Sequence, residues 1–105
     1  MFLMTSATDI IIKIKLIKAL KILGFLNIDL FIIGMMLSSL DQANCLISTE
    51  KEIADLLIIS SRTVIRTMTK LKNFGVIKNG NRYDFTNFLI VLEETQKTID
   101  NSNKE

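Results

Sequence analysis

SSRTVIRTMTKLKNF, residues 60–74, decides how the rest of the chain is read. Ser60 suits a helix N-cap, because its hydroxyl accepts from the free backbone N–H groups of the first turn. Behind it, Val64, Ile65, Met68 and Leu71 fall at i, i+1, i+4 and i+7, one apolar stripe of an α-helix. The other face carries Arg62, Thr63, Arg66, Thr67, Thr69, Lys70 and Asn73. Gly75 then supplies a left-handed residue that ends a helix at little cost. Arg, Lys, Thr and Asn on one helix face can read DNA base edges and hold phosphates. An ordinary solvated helix has much the same composition, so the neighbours must decide.

Upstream, Thr49 and Glu52 have the spacing of a capping box, so a helix begins there with Ile53, Ala54, Leu56 and Leu57 as its buried side. Glu50, Glu52 and Asp55 resemble a carboxylate set, but at a helix start they serve the cap and the dipole. Ile58 and Ile59 join this helix to the one after Ser60. Two short helices with so tight a joint make a helix-turn-helix, whose second helix enters the major groove. Downstream, Val76-Ile77-Lys78, Asn79-Gly80 and Asn81-Arg82-Tyr83-Asp84-Phe85 read as a hairpin, since Asn-Gly between β-formers is a strong turn signal. A basic hairpin directly after a recognition helix is a wing. Asp41 to Asn44 reads as a turn, and Cys45 to Ile47 as an edge strand.

The flanks read as further helices. Residues 9–23 place Ile12, Leu16, Ala19, Leu20 and Leu23 on one face and Lys15, Lys18 and Lys21 opposite, with Ile11, Ile14 and Ile22 among the lysines. Isoleucines so placed indicate either a subunit contact or a packed N-terminal arm. Ile22 to Leu40 is 19 residues without Lys, Arg or Glu, close to a bilayer span. Asp29 inside it would cost about 3 kcal/mol near the bilayer centre, and Gly24 and Asn27 divide it into a helix end and a new helix. Apolar residues surround 28–40, as in a central helix. Thr86 can cap a last helix with Phe88, Val91, Leu92, Thr95 and Ile99 on its apolar face, used for dimerisation or for packing on its own core. Met1 to Thr8 lacks the cleavage site of a signal peptide.

The expected fold class is therefore mainly α with a small β-hairpin: a winged helix-turn-helix with extra N- and C-terminal helices. It forms a single domain over residues 1–100, with N-terminal helices in 9–40, helix-turn-helix and wing in 45–85, and a C-terminal helix in 87–99. Residues 101–105 are expected to form a frayed tail.

Composition narrows the chemistry. The chain has 105 residues and a net charge of +2, too little by itself to demand a polyanion. Between Asp55 and Asp84, however, stand Arg62, Arg66, Lys70, Lys72, Lys78 and Arg82 with no acid among them. One cysteine excludes an internal disulfide, and the absence of histidine excludes histidine bases and histidine-held metals. No metal site and no cofactor is expected. Rolling-circle nickases pair a nucleophilic tyrosine with a histidine-held metal, whereas Tyr83 stands without histidine, and no Gly-rich phosphate loop appears. The chain is not expected to be an enzyme.

Ser48-Thr49-Glu50-Lys51-Glu52-Ile53-Ala54, Ser60 with Thr63-Val64, and Leu71-Lys72-Asn73-Phe74-Gly75-Val76-Ile77-Lys78 together resemble the RepL-type plasmid replication initiation proteins of Gram-positive bacteria. The likeness extends back through residues 28–40. It implies a cytoplasmic winged-helix protein that binds a plasmid origin and engages host replication proteins, with residues 60–74 as recognition helix and 78–82 as wing. Two departures accompany it. Ile58 stands where such turns usually have Gly, and a β-branched residue is strained if left-handed, so a wider turn and a shifted recognition helix are expected. The chain also starts later than the family pattern, leaving a truncated and a divergent member both open.

The partner expected first is double-stranded DNA, bound in a sequence-specific way. Ser61, Arg62, Thr63, Arg66 and Thr67 would face base edges. Lys70, Lys78 and Arg82 would hold phosphates, with Asn79 and Asn81 completing the wing. A homodimer is expected, and no membrane partner. The alternative is a winged-helix transcriptional repressor or copy-control regulator built on the same domain. A membrane-associated or purely protein-binding module, resting on the apolar run 22–40, is the third reading.

Overall fold

The computed structural model describes residues 7–102, with side chains from Ile14 to Asp100. The helices are α1 (Ala7–Ile22), α2 (Asn27–Ser38), α3 (Glu50–Leu57), α4 (Ser61–Asn73) and α5 (Thr86–Ser102), and the strands are β1 (Cys45–Leu46), β2 (Ile77–Asn79) and β3 (Arg82–Asp84). The strands form one antiparallel sheet in the order β1-β3-β2, so Cys45-Leu46 is an edge strand on the far side of the hairpin. A mainly helical chain with this small sheet matches the expected class and is compatible with a winged helix-turn-helix. No helix among the described residues is long and apolar enough to cross a membrane.

Local chemistry places each helix. The Thr49 hydroxyl accepts from the Glu52 N–H at 3.1 Å, and the Glu52 carboxylate accepts from the Thr49 N–H at 2.9 Å, closing the capping box of α3. Those bonds to Thr49 hold the Glu52 carboxyl below its ordinary value. Ser60 caps α4 by accepting from the Thr63 N–H at 3.2 Å. The last helix starts one residue earlier than expected: Thr86 is inside α5, and Asp84 accepts from its N–H at 2.9 Å. That bond holds the Asp84 carboxyl below its ordinary value. The helix also continues through Ser102, into the stretch expected to fray, while Asp100 pairs with Lys15 at 3.2 Å.

The core joins Leu20, Ile32, Ile33, Met36, Leu46, Ile53, Val64, Met68, Leu71, Phe85 and Phe88. Phe25 touches both Phe74 (5.4 Å between centroids) and Phe88 (6.1 Å), tying the α1–α2 turn to the ends of α4 and the start of α5. The face of α5 that holds Phe88 and Leu92 is buried on its own chain, against α1 among others. Expectations for Ile11, Ile12 and residues 1–6 and 103–105 lie outside the described side chains. Apolar residues do surround α2 in sequence, but Ile28 and Phe31 are exposed, because the Asp29–Ile32–Ile33–Met36 face is buried in the core, with Leu30, Met35 and Leu37 half-buried beside it. Leu56, expected inside α3, is also exposed, since Ile53 and Ala54 define the face turned to α4.

The α3–α4 turn is tight and not widened. Ile58 takes the left-handed conformation (φ 57°, ψ 49°) with its side chain 91% exposed. The Ile58 N–H donates to Asp55 and the Ile59 N–H to Ala54, the bonds that satisfy the last carbonyls of a helix. The same pair recurs after α4, where Gly75 donates to Lys72 and Val76 to Leu71. Gly75 has φ 111°, and a Cβ there would lie 2.9 Å from the Asn87 Cβ. Ile58 therefore accepts the backbone that the sequence argued against, at a steric cost of about 1–2 kcal/mol.

Candidate nucleic-acid interface

Successive residues of a helix turn by about 100°, so the four buried positions of α4 define its orientation. They are Val64, Thr67, Met68 and Leu71. Directly opposite lie Arg62, Arg66, Thr69 and Asn73, spaced i, i+4, i+7 and i+11, and all are exposed. Ser61 and Lys72 flank this stripe on one side, and Thr63 and Lys70 on the other. Ile65, expected inside, is 49% exposed, and Thr67, expected outside, is fully buried. Val64, Met68 and Leu71 are buried as expected, so the buried stripe is shifted by only about 40°, less than half a residue step, from the one read from the sequence.

Asp29 is the partner of the buried Thr67. It lies in the first turn of α2 with 3% exposure, and its carboxylate takes three donors: the Leu26 N–H at 2.8 Å, the Thr67 hydroxyl at 2.5 Å and the Lys70 ammonium at 2.6 Å. Burial pushes its pKa up, but the bonds from Lys70, Thr67 and Leu26, with the Lys70 charge, outweigh it and hold the carboxyl below its ordinary value. A buried carboxylate needs such partners. Thr67 therefore cannot face a base, and the Lys70 charge is already neutralised at short range. Thr63 is half-buried and shares a 2.8 Å hydroxyl contact with Ser60, which ties it to the cap.

In the wing, Asn79 pairs with Arg82, Lys78 with Tyr83 and Ile77 with Asp84. The two-residue loop is therefore Gly80-Asn81, one position beyond the expected Asn79-Gly80, with Gly80 at φ 63° supplying the first loop residue. Lys78, Asn79, Asn81 and Arg82 are all exposed. Paired residues share a face of the ribbon and neighbours along a strand do not, so Lys78 lies on the Tyr83 face and Arg82 and Asn79 on the other. The ammonium groups of Lys72 and Lys78 each sit 5.7 Å from the Tyr83 ring centre, joining the end of α4 to the wing through one aromatic ring.

A family description, Firmicute plasmid replication protein (RepL), matches residues 8–102, which include all of this geometry. The chain belongs to the RepL family. Its role is accordingly in plasmid replication. No curated protein and no solved structure matches the chain.

In this RepL chain Tyr83 is a structural residue. It is buried, and its hydroxyl donates to Glu50 Oε2 at 2.8 Å. Burial first, then the Glu50 bond and charge, push its pKa up to about 12. A phenol held neutral in this way is a poor nucleophile, and its bond fastens the wing to the first turn of α3. Between them lies a cleft of about 380 Å³ lined by Thr49, Glu50, Lys78, Gly80, Asn81 and Tyr83.

The RepL surface thus collects Ser61, Arg62 and Arg66 on α4 and Lys78, Asn79, Asn81 and Arg82 on the wing, and withdraws Thr67 and Lys70. Thr69 and Asn73, which the sequence places on the outer face, and Lys72, which it places in the basic run, join it without having been assigned a DNA contact. The i, i+4, i+7, i+11 spacing of Arg62, Arg66, Thr69 and Asn73 is the signal that singles out the outermost stripe of that face.

Proposed function

We propose that the chain is a sequence-specific duplex-DNA-binding protein that recognises the origin of its plasmid and recruits host replication proteins, which supply the enzymatic steps. The observation that carries this reading is the polar stripe Arg62–Arg66–Thr69–Asn73, exposed along the second helix of the helix-turn-helix. A guanidinium on that stripe can grip guanine O6 and N7 together. Lys72, Lys78 and Arg82 then hold the flanking phosphates. The family's role in plasmid replication supports the origin as the target.

The protein acts as a homodimer on two half-sites in this reading. Support comes from Ile14, Ile17 and Ile22, exposed on α1 beside Lys18 and Lys21. The Phe88–Leu92 face of α5 is engaged within the chain, so this reading assigns the second copy to α1.

Equilibrium binding of the full chain to duplex from the region flanking its own gene tests the proposal. Neutralising about four to six phosphates per protomer predicts a log–log salt slope of roughly −4 to −5, with tighter binding to one fragment than to scrambled duplex. A flat salt response at every fragment would overturn it.

A further inference from the structure

Ile65 is the one large apolar side chain of α4 that leaves the core for the polar side. It stands in the second turn with 49% of its surface exposed, while Thr67, on the opposite flank of the Val64–Met68–Leu71 stripe, is buried. Its neighbours on the helix surface are Ser61 and Arg62 on one side and Thr69 on the other, at the i−4, i−3 and i+4 positions that adjoin it. The Thr69 hydroxyl donates to the Ile65 carbonyl at 2.9 Å, so that hydrogen is not offered to a ligand. A bulky β-branched group therefore projects from a surface otherwise made of Arg, Ser, Thr and Asn.

In the major groove the base edges present polar donors and acceptors with one apolar exception, the C5 methyl of thymine. The residues of a recognition helix that reach base edges lie in its N-terminal part, where Ile65 and Arg62 both stand. Arg62 and Ile65 are three residues apart, about 4.5 Å along the helix axis. That is close to one base-pair step of about 3.4 Å.

We propose that Ile65 is a specificity-determining residue that packs on a thymine C5 methyl, in the base pair next to the one gripped by Arg62. This rests on the reading that α4 lies in the major groove. The positive charge of Arg62 and Arg66 beside it favours DNA as the occupant over a protein surface. One methyl moved from water to an apolar contact corresponds to about a fourfold change in affinity.

The test starts from a random-sequence duplex pool enriched on the wild-type full chain. Each thymine of the enriched site is then replaced by uracil, which pairs identically but lacks the methyl. Wild type should lose about fourfold at one thymine, and Ile65→Ala, which helix propensity tolerates at a half-exposed position, should bind the thymine and uracil forms equally. Circular dichroism of the variant confirms that it is folded. If no thymine is sensitive, or if Ile65→Ala keeps the full thymine preference, the assignment of Ile65 is overturned while sequence-specific binding stands. If the pool yields no preferred site, the major-groove reading fails and this assignment with it.

Discussion

The Thr67 hydroxyl donates to the Asp29 carboxylate at 2.5 Å across 38 residues of sequence, and this bond gives the one buried polar side chain of α4 its partner. With Lys70 and the Leu26 N–H, Thr67 completes the donors of a nearly fully buried carboxylate. Replacing Asp29 by Ala leaves the Lys70 charge without its partner, and breaking a buried pair from one side typically costs about 3–5 kcal/mol. Because Lys70 is partly exposed, the lower end, about 3 kcal/mol, is expected in urea unfolding. Thr67→Val, which removes a single bond, should cost about 1 kcal/mol.

The same carboxylate gives a pH dependence with a definite sign. Its folded pKa lies below the ordinary value of 3.8, so its contribution is present above that value and disappears as pH falls through the lower folded pKa. The stability gap between wild type and Asp29→Asn should be constant at neutral pH and shrink in strong acid. A gap that widens on acidification would contradict the ion pair.

Ile58 and Gly75 end successive helices with the same hydrogen bonds, yet their substitutions should act in opposite directions. Ile58→Gly relieves a left-handed β-branched residue whose side chain is almost wholly exposed, and should raise stability by about 0.5–1 kcal/mol after the entropy of Gly is subtracted. Gly75→Ala puts a Cβ 2.9 Å from that of Asn87 at φ 111°, and should lower it by about 2 kcal/mol. Thermal unfolding of the two variants checks both signs.

Tyr83 is the sole tyrosine and the chain has no tryptophan, so its ionisation can be followed directly by ultraviolet absorbance. It should titrate at about 12 in the folded protein against 10.0 for a free phenol. The stabilisation from its neutral form is complete below the free value and is lost as pH rises through the folded one. Tyr83→Phe should cost about 1 kcal/mol by removing the bond to Glu50.

Much of this architecture was legible locally. The Thr49–Glu52 box, the Ser60 cap and the basic hairpin each depend on residues a few positions apart, so sequence reports them directly. The burial of Thr67 in place of Ile65 was not, because both are plausible core residues until Asp29 on α2 supplies the threonine with a partner. In the sequence Asp29 stands out only as a charge in an apolar run, with nothing nearby to point to Thr67 or Lys70. The left-handed Ile58 was hidden for a related reason: the packing of α3 on α4 outweighs a local preference, and no local pattern reveals how much strain the packing can hold.

Assembly is tested by sedimentation. The exposed Ile14, Ile17 and Ile22 predict a self-associating chain at tens of micromolar, roughly −6 kcal/mol of association, and Ile14→Lys with Ile17→Lys should give monomer. A wild-type monomer at that concentration would remove α1 as a dimer surface.

In the proposed complex α4 reads bases while the wing holds phosphate, and binding by Arg66→Ala and Arg82→Ala separates the two roles. Both residues are exposed, so neither change should disturb the fold. Each variant is titrated with the preferred and a scrambled duplex at two salt concentrations. Arg66→Ala should lose about 1–3 kcal/mol on the preferred duplex and relax selectivity at one base pair. Arg82→Ala should weaken both duplexes alike and make the salt slope shallower by about one. Equal, sequence-independent losses from the two variants would contradict base reading by α4.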